Sequence, residues 1–446
     1  MTGRLLKDLA DEMPPARLPD DLWAAGRRRR QRRRLSYAVT AVVVLVLAVA
    51  LPDLVAHRRA AEVPADRPGA VPSRVEIPHL WQAKVGQWPA GAGGQAALVF
   101  STSKTRYFEG TGVAVGVDGS YRLIYREIGE DAGLLTPDGR YYVRGGLRLL
   151  DLTTGEERQL SGEPIWGVPL AWSPDGSELL IGVSNDDGVI TYGDDNVPDN
   201  DPEKPDDLVA VDMRTGARRL VAVGRFNSYT AAAWSPDGTR IAVDGPVGRG
   251  DTGRRISVMD AHTGAPVWTR DVPQTLGLAG RGAWSPDGRR LALFAFDGCV
   301  NICDPSGYDA RRWRVEQADP ATGELVGAPL PLAATPETAV GWRDGRDLVF
   351  TYSPNDSADP QVTLVALRPD GTLDTLVDTP VGVSGLEIPE NLLRAGAFGG
   401  PAAHPSMWAA PAWAYLLAAV PVLLLLWIVR GVVRRARRRR RKRERA

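Results

Sequence analysis

Between residues 75 and 395 apolar and polar side chains alternate in short runs, each bounded by Pro, Asp, Gly or Thr. The runs "SELLIGV" (177–183), "TRIAVDG" (239–245) and "RRLALFA" (289–295) keep a period near two, which turns one face of an extended strand toward a core. Each follows a copy of "AWSPDG", at 171–176, 233–238 and 283–288. In that hexapeptide Pro presets φ at the first corner, Asp bonds to nearby backbone, and Gly accepts positive φ. The motif therefore predicts a tight turn between two antiparallel strands. Trp172, Trp234 and Trp284 are large enough to fill the space between neighbouring sheets, and Asp175, Gly176, Asp237, Gly238, Asp287 and Gly288 form the turns.

Weaker copies continue the series. "LTPDGRYYV" (135–143) lacks the Trp, "GWRDGRDLVF" (341–350) keeps Trp342, Asp344 and Gly345, and "QWPAGAGGQAALVF" (87–100) keeps Trp88-Pro89 with a Gly-rich turn. A second marker follows each copy: another turn, mostly Thr-Gly, centred on Gly119, Gly155, Gly216, Gly264, Gly323 and Gly371. Both markers count six. Four antiparallel strands per unit, repeated about an axis, predict an all-β, six-bladed β-propeller. A ring leaves no open stack ends, so "VGVSGLEIPENLL" (381–393), "SRVEIPHLW" (73–81), or both, are expected to add a strand to a shared blade and bring the chain ends together.

The "AWSPDG" inner hairpin with a "D-x-x-TG" outer one resembles the TolB-type, WD-like repeat of bacterial six-bladed propellers. The resemblance covers about residues 75–395, three of the six copies matching closely. It implies the fold; its members include periplasmic accessory proteins, peptidase-associated propellers and membrane proteins, so it implies no single activity.

Two apolar runs break the alternation. "LSYAVTAVVVLVLAVAL" (35–51), extended to Ala56, and "MWAAPAWAYLLAAVPVLLLLWIV" (407–429) are uncharged over 17 and 23 residues. Both predict membrane helices. The zero net charge conceals segregation: residues 1–35 carry 10 basic and 5 acidic side chains and 430–446 carry 11 and 1, leaving 33 against 48 between them, a net −15. Arg clusters outside each run predict cytoplasmic termini by the positive-inside rule. The abundance of Arg, Ala, Gly and Pro suggests a GC-rich bacterial gene. The expected layout is a cytoplasmic head (1–35), a span (36–56), a linker (57–74), an extracytoplasmic propeller (75–395), a linker (396–406), a span (407–430) and a polybasic tail (431–446). A cleaved signal peptide is the rival reading of the first run. Nucleic-acid binding is the rival for the Arg clusters, which topology and anionic headgroups explain without a nucleic-acid partner.

Candidate chemistry is sparse. Cys299 and Cys303, the only cysteines, fall in a loop of the fifth blade, where a disulfide is the natural reading of an even count and free thiols or metal are alternatives. The loop 184–207 holds eight Asp and one Glu. Asp194, Asp195, Asp199 and Asp201 are its best Ca²⁺ ligands, against a solvated acidic insertion. Leu5, Leu6, Leu9 and Met13 share one face of a short helix that could dock to a cytoplasmic regulator. The head's layout is similar to anti-sigma-type membrane proteins but lacks their zinc-binding His/Cys motif. No catalytic residue and no cofactor are expected.

The leading expectation is a membrane-anchored, non-enzymatic scaffold in contact with lipid that binds an extracytoplasmic protein, peptide or envelope glycan. A transmembrane regulator acting through residues 1–23 is the first alternative. A hydrolase or lyase working in the central channel is the second, and it requires titratable side chains that converge on the axis.

Overall fold

The computed structural model describes residues 69–443 apart from 80–81, 87–93, 103–110, 125–132, 145–146, 161–166, 184–206, 224–229, 248–252, 301–302, 304–306, 308–309, 334, 354–360, 407–409 and 411. The first apolar run, the head helix with Leu5, Leu6, Leu9 and Met13, Trp88, and Asp194, Asp195, Asp199 and Asp201 lie outside the described residues. Chain contacts separate a unit ending at Ala414, which holds every strand, from a second unit whose described part is 415–443.

The strands form six four-stranded antiparallel sheets, as the two turn markers predict. Blades 2 to 6 each use four consecutive strands, beginning at Leu134–Leu135, Gly167–Trp172, Ala231–Trp234, Leu276–Leu278 and Thr335–Arg343. The fourth strands of blades 2 and 4 are the exposed ones, Pro266–Val272 at the outer edge of blade 4 lying almost wholly at the surface. Blade 1 differs. Its inner strand is Val383–Glu387, which pairs with Ala96–Thr102 and is followed outward by Thr111–Gly116 and Tyr121–Ile124. The last strand thus completes the first blade and closes the ring. The described part of the earlier candidate, 73–81, adds one isolated bridge, Arg74 to Asp378, and the stretch just before it adds another, Pro72 to Gly400. Together they wedge Val71 and Val75, both fully buried, into the core shared by blades 6 and 1. The Val71 N–H donates to Ala397 O and the Gly400 N–H to Val71 O, so the two ends of this unit lie side by side.

The repeated hexapeptide encodes its own hydrogen bonds. In the turns of blades 2 to 5 the hydroxyl of Thr136, Ser173, Ser235 or Ser285 donates to the Asp Oδ1 two residues on, at 2.6–2.7 Å. The same Oδ1 accepts a backbone N–H two residues further, at 3.0–3.1 Å. The hydroxyl oxygen in turn accepts the N–H five residues on, at 2.9 Å. These donors, the Ser hydroxyl foremost, hold Asp175, Asp237 and Asp287 below the usual carboxylate range. Gly176 and its three counterparts take φ of 68–72°, which a side chain would strain. Blade 6 departs from this scheme. Asp344 and Gly345 both have positive φ, as in a type I′ hairpin, and Asp347 instead accepts Arg343 at 2.7 Å.

The repeat tryptophans sit between blades. Trp172 packs on Leu134, Val143 and Leu149 of blade 2 and donates its indole N–H to Leu135 O at 2.7 Å. Trp284 and Trp342 likewise reach back to Ala233 O and Gly282 O. Trp234 is as buried, but its Nε1 has no partner among the described residues. We therefore expect Trp172→Phe to lower stability by about 1 kcal/mol more than Trp234→Phe, because only the first orphans a carbonyl. Urea midpoints of the two variants check this, and equal shifts would count against the indole bond.

Beyond the ring, helix α1 (Glu390–Arg394) follows the closing strand and helix α2 (Ala412–Arg443) ends the described chain. In α2 an apolar stretch interrupted by Pro421 runs into the Arg-rich tail, and Trp427 is 74% exposed. Among the described residues, no helix is long and apolar enough to cross a membrane, so the span expected at 407–430 finds no support in α2.

Candidate functional site: the axial channel and the loop face

The two faces of the ring are unlike. In blades 2 to 6 each inner strand ends in a tight turn on one face, and the third and fourth strands also meet there. The opposite face receives the connections between second and third strands and those between blades. The acidic segment 184–206 leaves from Val183 and returns at Asp207, which pair with one another at that face. The disulfide loop of blade 5 likewise leaves after Asp297 and returns at Arg312. We call this the loop face.

The tight-turn face is covered at its centre. Having left blade 1, α1 donates the Asn391 N–H to Pro137 O of blade 2 at 2.9 Å, and Arg394 Nη2 reaches Pro174 O of blade 3 at 3.4 Å. Leu393 packs where a Cβ on Gly341 of blade 6 would stand 3.2 Å from its Cδ1. Blades 2, 3 and 6 lie on different sides of the axis, so the helix that touches all three lies across it.

Beneath α1 an ion pair spans the channel. Arg281 of blade 5 and Glu387 of blade 1 meet with Nη2 2.5 Å from Oε2 and Nη1 3.1 Å from Oε1. Their blades are separated by blade 6, so the two side chains meet by reaching inward. Each keeps some accessible surface, 15% and 17% of the side chain. Glu387 nevertheless lies deep among protein atoms, and its burial raises its proton affinity against the pull of Arg281.

The backbone that aims Arg281 is irregular. Residues 279–283 leave the regular ladder of blade 5, and Ala339 of blade 6 accepts from Gly282 N–H at 2.9 Å and donates to Ala279 O at 2.6 Å. A Cβ at Gly282 would fall 2.1 Å from Gly341 N, and one at Gly280 would fall 2.2 Å from Thr338 Oγ1. Such an approach needs glycine at both places. "LAGRGAW" (278–284) spells this departure, since the copies at 168–172 ("VPLAW") and 230–234 ("TAAAW") have no glycine there. Gly-Arg-Gly ahead of the motif is the signal that could have found Arg281. Glu387 had none beyond its place in the closing strand.

Glu337, on the inner strand of blade 6, is a second deep but accessible carboxyl. Burial pushes it up to about 7, while a hydrogen bond with the Thr351 hydroxyl opposes the shift. A carboxyl raised in the fold holds its proton more tightly than in the unfolded chain. Its contribution to stability is therefore full below the ordinary carboxylate range and is lost as pH rises through about 7. Glu337→Gln should flatten that part of the pH profile. Urea unfolding of both proteins between pH 4.5 and 8 measures the slope, and an unchanged slope would show that Glu337 is not its source.

The residues singled out by sequence do not converge on this channel. Trp172, Trp234, Trp284 and Trp342 hold the blades together. Cys299 and Cys303 are bonded to each other on the loop face, their Cα atoms 6.1 Å apart. Among the described residues no group of three or more His, Cys, Asp and Glu side chains is placed to hold a metal ion.

No family model matches the sequence, and no curated protein matches it. Solved structures similar to the chain include a putative TolB from Agrobacterium tumefaciens, 16% identical over 66% of this chain and 98% of that one, with a TM-score of 0.39. The oligogalacturonate lyase of Vibrio parahaemolyticus is 15% identical over 68% and 78%, TM-score 0.40. The hydrazine synthase of Kuenenia stuttgartiensis is 16% identical over 69% and 79%, TM-score 0.42. At such identities the likeness carries nothing about ligand or reaction.

Proposed function

We propose that the ring is a binding scaffold that takes a protein, peptide or envelope-glycan ligand on its loop face and does no chemistry on it. The asymmetry of the faces carries this reading. One mouth of the channel is covered by α1 over the Arg281–Glu387 pair, while the longest connections of the chain start and finish at the other. Loops on a rigid frame are where recognition is built. A photo-crosslinking residue at Asp297, whose side chain is 75% exposed on the loop face, should capture the ligand in intact cells. The same probe at Arg289, in the tight turn of blade 5, should not. Capture from Arg289 alone, or equally from both, would reverse the assignment.

In this reading the scaffold is held at a plasma membrane, with the ring outside and both termini in the cytoplasm; the sequence runs 36–56 and 407–430 are the proposed anchors, although α2 by itself is not apolar enough to count as a span. The uncharged runs with Arg clusters beyond them support this. Retention of the full chain in alkali-washed membranes tests the anchoring.

Glu337, on the inner strand of blade 6, favours a second reading, the channel enzyme, because burial pushes its carboxyl up to about 7, suited to a general base near neutral pH. Turnover of glycan fragments by the native chain, absent in Glu337→Gln, would put this reading ahead of simple binding.

A further inference from the structure

We propose that the channel's loop-face mouth receives a basic side chain, lysine or arginine, of a protein or peptide ligand, and that the Glu337 carboxylate is its seat. This rests on the reading that the ligand lies on the loop face, and it narrows that ligand to a cationic chain. Glu337 is placed for the role by an irregularity in its strand. Thr335–Arg343 is the inner strand of blade 6, and no neighbouring strand covers its axial edge. Its ladder pairs Pro336 with Tyr352 and Thr338 with Thr351, so Glu337 is the extra residue of a bulge and has no partner opposite. A bulge re-aims its side chain out of the strand's alternation. Glu337 is exposed to water, whereas Pro336 before it and Ala339 beyond it are buried.

Depth follows from the register. The inner strand starts on the loop face and ends in the tight turn at Asp344 and Gly345, so Glu337 lies about 7 Å along it, at about 3.3 Å per residue. Arg281 lies deeper, because Ala279 and Gly282 on either side of it both bond to Ala339. A ligand entering from the loop face therefore meets Glu337 first, then the Arg281–Glu387 pair, then α1. A recess of that depth suits lysine and arginine, whose charge sits at the tip of a long apolar stem.

The charge at this place is unanswered. Glu387 engages Arg281 at 2.5 Å, and among the described residues no cation pairs with Glu337. Its hydrogen-bond partner is the Thr351 hydroxyl on the adjacent strand, a residue 1% exposed. Burial without a counter-ion is what raises the proton affinity of Glu337. An ammonium or guanidinium brought by a ligand removes that disadvantage and makes a charge-assisted hydrogen bond. The wider field agrees. The loop 184–207, with its eight Asp and one Glu, leaves and returns at this face, and a negative potential there draws cations toward the mouth without belonging to the seat.

Calorimetric titration of the full chain with penta-lysine or penta-arginine at pH 8 tests the seat. Both peptides should bind, and penta-(Nε-acetyl-lysine), which lacks the charge, should not. Glu337→Gln is nearly isosteric, keeps an acceptor for Thr351 and should weaken binding by about tenfold or more. Asp297→Asn removes the same charge from the loop face outside the channel and should weaken it by at most about threefold. Absence of binding, equal affinity for the acetylated peptide, or equal losses in the two variants would overturn the proposal. Photo-crosslinking from Asp297 in intact cells separates it from the reading it rests on. Capture lost in Glu337→Gln supports both. Capture that persists undiminished in Glu337→Gln would keep the ligand on the loop face and take its basic side chain out of this channel.

Discussion

Leu386→Ala is expected to destabilise the ring by about 2–5 kcal/mol, the range for emptying a fully buried leucine site. Leu386 sits in the strand that closes blade 1, is 1% exposed, and pairs in register with Phe100. Its side chain belongs to a core that also contains Val71, Tyr121, Val349 and Leu364, so it joins the two ends of the chain to blades 1 and 6. The loss should therefore weaken the closure itself as well as one contact. A truncation of the same volume in the middle of a blade, such as Leu180→Ala in blade 3, should cost a similar free energy while leaving the seam intact. The distinguishing readout is local. Amide exchange should accelerate in Ala96–Thr102 and Val383–Glu387 for Leu386→Ala and not for Leu180→Ala. Unaltered urea midpoints and unaltered exchange at the seam would contradict closure by this strand.

The second large effect concerns the channel pair. Glu387→Ala should cost about 3 kcal/mol, because it strands the Arg281 guanidinium in a deep site, where breaking a buried pair is worth about 3–5 kcal/mol. The lower end applies since both side chains retain some contact with water. Replacing both partners with apolar residues of similar volume, Arg281→Met with Glu387→Leu, should restore most of the loss. The desolvation of two charges nearly offsets their attraction, so the pair contributes little net stability. Urea unfolding of the two single variants and the double variant forms a thermodynamic cycle. A double variant less stable than either single one would mean that the pair, rather than the absence of a lone charge, holds this part of the ring. If the double variant is stable but loses its ligand, the pair is kept for recognition.

The architecture was legible in the chain because its signals are short-range. The hydroxyl, carboxylate and N–H of a Ser-Pro-Asp-Gly turn find one another within five residues, as the bonds around Asp175, Asp237 and Asp287 show. The outer glycines, Gly119 to Gly371, all have φ of 70–83°, the conformation their turns require. Such contacts depend on no distant part of the chain, so counting them counts blades. Even here one copy misled: Asp344 has the right neighbours but takes positive φ itself, because Arg343 satisfies Asp347 and no Ser precedes the turn.

Position about the axis is another kind of information. Arg281 and Glu387 are 106 residues apart, and their meeting depends on how many blades intervene and on which strand closes the circle. The same holds for α1, whose five residues reach turns near Pro137 and Pro174 only after the ring has formed. The strand inside blade 1 could be either of two look-alike segments, 73–81 or 381–393. Pairing with Phe100 selected Val383–Glu387 and left Val71 and Val75 to fill a seam. Turn chemistry and strand alternation are local and can be read in order along the chain. The channel and its covered mouth arise from packing between segments whose separation in sequence says nothing about their distance in space.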